Sequence, residues 1–183
     1  GTGAKAQIYA GMRRGGRFYY SLDVIDPDAP VYKWKIDNST PGFSELGQTW
    51  SEPKVAKITL ANCPATGAAG ICKVLIFGAG YDAAANDPAT QVTATMGRGI
   101  FVVDAITGTL IWHTSPRTLL DVNPPTGSYV QTSGMTYAVP ADLAVIDSDR
   151  DLPDKLADRV YAADTGGNIW RVNIGDTNPN NWT

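Results

Sequence analysis

One pattern recurs three times along the 183 residues of this chain and constrains its fold more than any other feature. Each copy is a short apolar stretch, a glycine-containing turn, and a second apolar stretch that ends in Asp or Asn. The second stretches end at Asp23, Asp104 and Asn173, which are 81 and 69 residues apart. Apolar residues alternate with a period of two, which indicates strands rather than helices. The unequal spacing indicates one repeated unit with loop insertions of different length.

The composition agrees with a β protein that is rich in turns. Of the 18 acidic residues, 16 are Asp and only two are Glu. Asp favours turns and caps, whereas Glu favours helices, so this bias argues against a helical fold. A net charge of -3 excludes a strongly basic nucleic-acid-binding protein. No apolar run approaches the roughly 18 residues of a membrane-spanning helix.

The repeated unit has the features of a β-propeller blade. Such a blade has four short antiparallel strands, with Gly at the tight turns and a large aromatic residue in each unit. The sequence therefore predicts an all-β fold of about three blades, at residues 1–48, 49–114 and 137–183, with 115–136 as an insertion loop. Because a propeller needs at least about four blades to close, we expect these to be part of a larger propeller. The alternative is a β-sandwich with coincidental turn spacing. The aromatic residues expected to pack between blades are Tyr19, Trp34, Trp112 and Trp170.

The two cysteines of the chain are predicted to form a disulfide. Cys63 and Cys72 are separated by a loop of small residues that includes one Pro and two Gly. Such a loop can fold back and bring the two Cα atoms within bridging distance, which indicates an extracellular setting. The alternative is a pair of unpaired thiols in a cytosolic loop. The spacing does not match a redox C-x-x-C motif, and no second Cys or His pair exists to build a zinc site.

The strongest functional signal is an acidic segment at residues 147–158. Four of its five carboxylates stand at positions 1, 3, 5 and 12, which is the spacing of a calcium loop. Alternate residues of a tight loop can point inward and supply the oxygen ligands that Ca²⁺ requires. The predicted ligands are Asp147, Asp149, Asp151, the backbone carbonyl of Pro153, and Asp158. Position 6 is Leu152 rather than Gly, so the loop is expected to be wider than usual, with Asp154 as an alternative closing ligand.

Two other interpretations concern this segment and the single histidine. The acidic segment is alternatively a solvated loop whose charge is neutralised by Arg150, Lys155 and Arg159. Its flanks are predicted to be strands rather than amphipathic helices, so it is not an EF-hand. His113 follows Trp112 at a strand end and has no Ser or Cys partner motif. We therefore expect a surface or turn residue at this position rather than a catalytic base.

Two segments carry a resemblance to a known family. Residues 103–112 resemble the D-A-x-T-G-x-x-x-W signature of quinoprotein-like propeller blades. Residues 158–172, which directly follow the D-x-D-x-D loop, closely resemble the C-terminal propeller of the PilC/PilY family of type IV pilus proteins. The family's calcium ligands carry over to Asp147, Asp149 and Asp151. Asp158 stands later than the family's last Asp, which makes its ligation less secure.

The resemblance implies a secreted, calcium-binding protein at the pilus tip or outer-membrane surface of a bacterium. Members of the family support pilus assembly and adhesion, and a calcium site in the propeller governs whether pili extend or retract. The expected partners are pilins, other pilus-tip or minor pilin components, and a host-cell receptor. No enzymatic activity and no nucleic-acid partner are expected.

Two alternatives share the blade signature. One is a pyrroloquinoline-quinone dehydrogenase. The chain lacks the adjacent cysteines that stack on the quinone in those enzymes, and its two Glu lie outside the Asp-rich region. The other alternative is a metal-free outer-membrane assembly scaffold, whose stability would not respond to calcium.

Overall fold

The computed structural model describes residues 6–90, 92–118, 127–148 and 155–183. Strands dominate these ranges, and the regular helical segments within them are α1 (Ala83–Asn86) and a 3-10 turn at Pro179–Asn181. The described strands are β1 (Gln7–Gly11), β2 (Phe18–Asp23), β3 (Val31–Asp37), β4 (Lys54–Cys63), β5 (Ala68–Gly78), β6 (Ile100–Asp104), β7 (Leu110–Ser115), β8 (Ser128–Gln131), β9 (Ala144–Ile146), β10 (Arg159–Ala163) and β11 (Ile169–Asn173). No helix in the described part of the chain has the length and apolar character needed to cross a membrane.

The strands form three sheets that follow one another along the chain. The N-terminal sheet has the order β1-β2-β3, the central sheet β4-β5-β6-β7-β8, and the C-terminal sheet β11-β10-β9. All pairings are antiparallel except that of β7 with β8. The three copies of the sequence repeat are the pairs β1–β2, β5–β6 and β10–β11. The all-β, β-propeller-like fold predicted from the repeats is confirmed.

The strand content of the sheets departs from the predicted four antiparallel strands per unit. Within the described ranges, the two outer sheets have three strands each and the central sheet has five. The fifth strand, β8, lies inside the segment 115–136, which was predicted to be only an insertion loop. It runs parallel to β7, with Trp112 opposite Ser128 and Ser115 opposite Gln131. A side-chain bond from Thr114 Oγ1 to the carbonyl of Val130 (2.7 Å) adds to this pairing.

In the central sheet, β6, β7 and the second half of β5 are buried on both faces, which explains their continuous apolar runs. Successive residues of a strand point to opposite faces. Accordingly, Leu75 and Phe77 pack toward the N-terminal sheet, whereas Ile76 packs toward the C-terminal sheet. The ring of Tyr19 meets that of Phe77 at 4.6 Å between centroids, and Trp112 meets Trp182 at 5.7 Å. The aromatic residues of the repeated units therefore pack at the contacts between sheets.

His113 lies in this core, so the prediction of a surface or turn position is wrong. It is a residue of β7 and is only 2% exposed. Its ring stacks on Phe101 at 5.7 Å and contacts Tyr129 at 4.6 Å. Tyr129 belongs to β8, so the strand that the sequence did not predict is the one that covers His113. Burial lowers the pKa of His113 to about 4.

Cys63 and Cys72 form a disulfide across the β4–β5 hairpin. Their Cα atoms are 5.6 Å apart, and both side chains are buried in the core between the central and C-terminal sheets. The bridge closes the end of the longest hairpin in the described residues, where the strand register shifts between Leu60 and Cys63. It therefore ties together the part of the hairpin where regular pairing is lost.

Candidate functional site

The blade signature around Asp104 forms a tight turn between β6 and β7. Asp104 Oδ1 accepts hydrogen bonds from the backbone N–H groups of Ile106 (2.9 Å) and Thr107 (2.8 Å) and from the Thr107 hydroxyl. Gly108 has a φ of +74°, and a Cβ there would lie 2.9 Å from a ring atom of Trp34. The signature is thus a structural turn that also seats an aromatic side chain of the neighbouring sheet.

Asp164 plays the same part at the turn between β10 and β11. Its carboxylate accepts bonds from the backbone of Gly166 (2.9 Å), from the backbone and side chain of Asn168, and from the indole N–H of Trp170 (2.8 Å). Burial on its own raises the pKa of this carboxyl group, but the hydrogen bonds outweigh that effect and hold the pKa below its ordinary value. The carboxylate is therefore already satisfied by its own turn.

The predicted calcium loop connects β9 to β10. Its two ends, residues 147–148 and 155–158, lie close together and are called the neck of the loop here. Ile146 pairs with Arg159 in the antiparallel ladder, and the N–H of Asp158 donates to the carbonyl of Ile146 (3.0 Å). The carbonyl of Asp158 in turn accepts from the N–H of Ile174 (2.7 Å), just after β11. Both ends of the loop are therefore anchored on the C-terminal sheet.

The carboxylates at the two ends of the loop are held by loop residues. Asp158 Oδ1 accepts the N–H of Ser148 (2.9 Å), and its second oxygen accepts the Ser148 hydroxyl. Asp147 accepts the N–H of Lys155 (3.0 Å), a residue with a φ of +63°. These bonds bring the first and last predicted ligands to the same neck. A carboxylate oxygen has two acceptor positions, so Asp158 keeps capacity for a cation beside the Ser148 bonds.

The remaining predicted ligands lie outside the described residues. These are Asp149, Asp151 and Pro153, together with the alternative closing residue Asp154. Among the residues that the structure describes, no group of three His, Cys, Asp or Glu side chains is placed to hold a metal ion. The donor set is entirely oxygen, which suits a hard cation such as Ca²⁺. Calcium binding therefore stays a prediction that the arrangement of the neck is compatible with.

Sequence reasoning missed a buried charge cluster around Glu45. The Glu45 side chain is 3% exposed and accepts Arg98 Nη2 at 2.7 Å, together with Arg117 Nε. Its backbone carbonyl also accepts the N–H of Gly97 (2.6 Å). Three connecting segments are joined in this way, those that precede β4, β6 and β8. The rarity of Glu in the chain was the one available signal, and it does not identify the arginine partners.

Comparison with known proteins gives a consistent result. No family model matches the chain. It is 29% identical over 182 residues to the type IV pilus biogenesis factor PilY1 homolog of Xylella fastidiosa, covering 97% of this chain. It is 31% identical over 164 residues to the type IV pilus biogenesis factor PilY1 of Pseudomonas aeruginosa, covering 89% of this chain. The chain is similar to a segment of PilY1 proteins over most of its own length.

The match to solved structures agrees on the fold. The crystal structure of the Pseudomonas aeruginosa PilY1 C-terminal domain superposes with a TM-score of 0.59 at 20% identity, over 94% of this chain and 30% of that one. The chain spans 10% and 11% of the length of the two PilY1 relatives. It therefore corresponds to a limited segment of those proteins.

Proposed function

We propose that this chain is a calcium-binding part of the β-propeller of a type IV pilus biogenesis protein. The observation that carries the proposal is the neck of the β9–β10 loop, where Asp147 and Asp158, the first and last of the predicted ligands, are held by Lys155 and Ser148. The names of the two PilY1 relatives support the assignment to pilus biogenesis. We further propose that the three sheets are successive blades, at residues 1–48, 49–114 and 137–183, of one larger propeller.

Calcium would act on this loop through charge. Several carboxylates on one short loop repel one another unless a cation neutralises them. The loop also contacts the central sheet, because the N–H of Ala157 donates to the carbonyl of Lys57 on β4 (2.8 Å). A cation that orders the loop would therefore stabilise the contact between the central and C-terminal sheets. The chain would work as a switch and not as a catalyst.

The biological consequence that we propose is control of the pilus at the cell surface. The calcium-loaded form would support pilus extension and surface attachment, and the calcium-free form would permit retraction. Pilins and minor pilin or tip components are the proposed partners, with a host-cell receptor for attachment. The disulfide in the β4–β5 hairpin supports an extracellular location, since such bonds persist mainly in oxidising compartments.

A calcium titration by calorimetry tests the site. Wild-type protein should give a one-site isotherm, and Asp149→Ala should abolish the heat while leaving the far-UV circular dichroism unchanged. The matched control is Asp26→Ala, which removes an exposed aspartate in the β2–β3 connection and should leave the affinity unaltered. Unchanged affinity in Asp149→Ala would show that the site has been assigned to the wrong residues.

Surface piliation tests the biological part of the proposal. The substitutions Asp149→Ala and Asp26→Ala would be introduced into the full-length protein of the source bacterium. The first should change the number of surface pili and the second should not. If Asp149→Ala abolishes calcium binding but leaves piliation and attachment at wild-type levels, calcium binding does not regulate the pilus.

A further inference from the structure

A groove separates the central and C-terminal sheets on the side where β4 and β9 are edge strands. It has a volume of about 540 Å³. One end is closed by the bond from the Ala157 N–H to the carbonyl of Lys57 (2.8 Å). The other end is closed by Asp142, which accepts the N–H of Glu52 (2.7 Å) and Lys54 Nζ (3.3 Å). The groove walls are residues 54–57 of β4, 143–147 around β9, and 155–157.

The wall formed by β4 offers main-chain groups for pairing. Since the carbonyl of Lys57 points into the groove, its N–H and the main-chain groups of Val55 point there too, by the alternation of an antiparallel strand. Within the described ranges, neither the Lys57 N–H nor the Val55 main chain has a hydrogen-bond partner on this side. The Val55 side chain is 63% exposed. An open strand edge of this kind is a template for another extended segment.

Three lysines converge where the groove continues onto the face of the central sheet. Lys57 and Lys73 are directly opposite each other in the β4–β5 ladder. Theirs is the non-hydrogen-bonded type of pair, in which the side chains lie closest, and like charges in such a pair are destabilising. Together with Lys155, from the β9–β10 loop, they line a recess of about 380 Å³. All three side chains are exposed, and none of them forms an ion pair with a described residue.

We propose that this groove binds a short, extended, acidic segment of a partner protein. The main chain of the segment would pair with β4 at Val55, and its carboxylates would lie against Lys57, Lys73 and Lys155. The charge of the recess and the open edge of β4 favour this ligand together, since a simple anion would use only the lysines. The β4 wall from Lys54 to Lys57 is about 10 Å long at roughly 3.3 Å per residue, enough for three or four residues. Of the calcium ligands proposed above, Asp147 borders the groove, but the proposed contacts use the main chain of β4 and the three lysines.

Fluorescence anisotropy with a labelled peptide tests the site directly. The probe is a seven-residue peptide that alternates Glu and Val, added to the 183-residue chain at low salt. Wild type should bind it, and K57E/K73E should weaken the binding by at least about tenfold. The matched control is Lys33→Gln, which removes a lysine paired with Asp23 on the N-terminal sheet. That variant should bind within about twofold of wild type. Absence of binding to wild type, or equal loss in both variants, overturns the proposal.

Two further ligands separate a paired segment from a simple anion. The same peptide N-methylated at every residue has no N–H group left to donate to a strand edge, so its affinity should fall at least about tenfold. Tripolyphosphate should bind far more weakly than the peptide. Equal binding of the methylated peptide, or tighter binding of tripolyphosphate, would mean that the lysines hold an anion without strand pairing, and the proposal would be wrong.

The free protein should show the cost of the lysine pair. Lys57→Gln and Lys73→Gln should each raise the melting temperature, by about 1–3 °C at low salt, because each removes the same repulsion. The double variant should gain little beyond either single change. These neutral substitutions also keep the test valid if the charge-reversal variant does not fold. Unchanged or lower melting temperatures would contradict the repulsion on which the proposal rests.

Discussion

The β6–β7 turn and the β9–β10 loop both depend on Asp residues next to a strand, yet they use the carboxylate in opposite ways. In the β6–β7 turn, the single carboxylate of Asp104 accepts hydrogen bonds from the backbone N–H groups of Ile106 and Thr107. Asp104 is 1% exposed and its charge is satisfied entirely within the fold. In the β9–β10 loop, the described carboxylates are those of Asp147 and Asp158, and they accept hydrogen bonds from Lys155 and Ser148 of the loop itself.

Loop length accounts for the difference. A turn of four or five residues presents its own N–H groups to the first carboxylate, so that carboxylate needs no other partner. A twelve-residue loop with Asp at alternate positions has more carboxylate acceptors than hydrogen-bond donors, and a bound cation would balance this excess. The same residue type therefore serves structure in one connection and, in our proposal, ligand binding in the other.

The largest expected effect is on the turn. Asp104→Ala should lower the free energy of unfolding by about 2–4 kcal/mol, because it leaves buried N–H donors without an acceptor. Urea denaturation measures this loss, which should be the same in calcium and in chelator. The control is Asp104→Asn, whose remaining carbonyl oxygen can still accept these bonds and which should cost clearly less. A loss that depends on calcium would break the distinction between the turn and the loop.

The next effect is the loss of stability at acidic pH. Because acid also protonates carboxylates, such a loss could be mistaken for release of a bound cation. His113 has a pKa of about 4 in the folded protein and an ordinary value of 6.5. Between these values the unfolded state binds more protons, so stability falls as the pH falls from 6.5 to 4 and levels off below. Calcium-free protein should be about 2 kcal/mol less stable at pH 5 than at pH 7 through this group.

Urea midpoints of wild type and His113→Leu, compared at the two pH values, measure this contribution. The variant should lose most of the pH dependence, whatever its stability at neutral pH. If His113→Leu keeps the full pH dependence in chelator, the acid response belongs to other groups, and the loop carboxylates would be the first to test.

Local sequence was sufficient for the parts of the fold that local physics determines. The period-2 repeats predict the pairs β1–β2, β5–β6 and β10–β11, and the small-residue loop predicts the bridge between Cys63 and Cys72. These features depend on hydrophobic alternation and on chain reversal over a few residues. The neck between Asp147 and Asp158 also follows from position, because the two residues flank paired strands.

Long-range contacts account for what the sequence did not reveal. The strand β8 joins β7 in parallel, and only the assembled sheet defines its edge. Burial of His113 depends on that strand, and the pairing of Glu45 with Arg98 and Arg117 joins residues 53 and 72 positions apart. The direct opposition of Lys57 and Lys73 required the register of the β4–β5 hairpin. None of these pairings leaves a periodic signal in one sequence.

The central claim is that the loop at residues 147–158 binds calcium, and the calcium dependence of the melting temperature tests it most directly. At a calcium concentration tenfold above Kd, binding should add about 1.4 kcal/mol and raise the melting temperature of wild type by about 3–6 °C over chelator. Asp158→Ala should melt slightly below wild type in chelator, having lost the Ser148 bonds. Calcium should raise its melting temperature far less than that of wild type. Equal melting temperatures of wild type in calcium and in chelator would contradict the account, and the loop would then be a solvated connection in a metal-free scaffold.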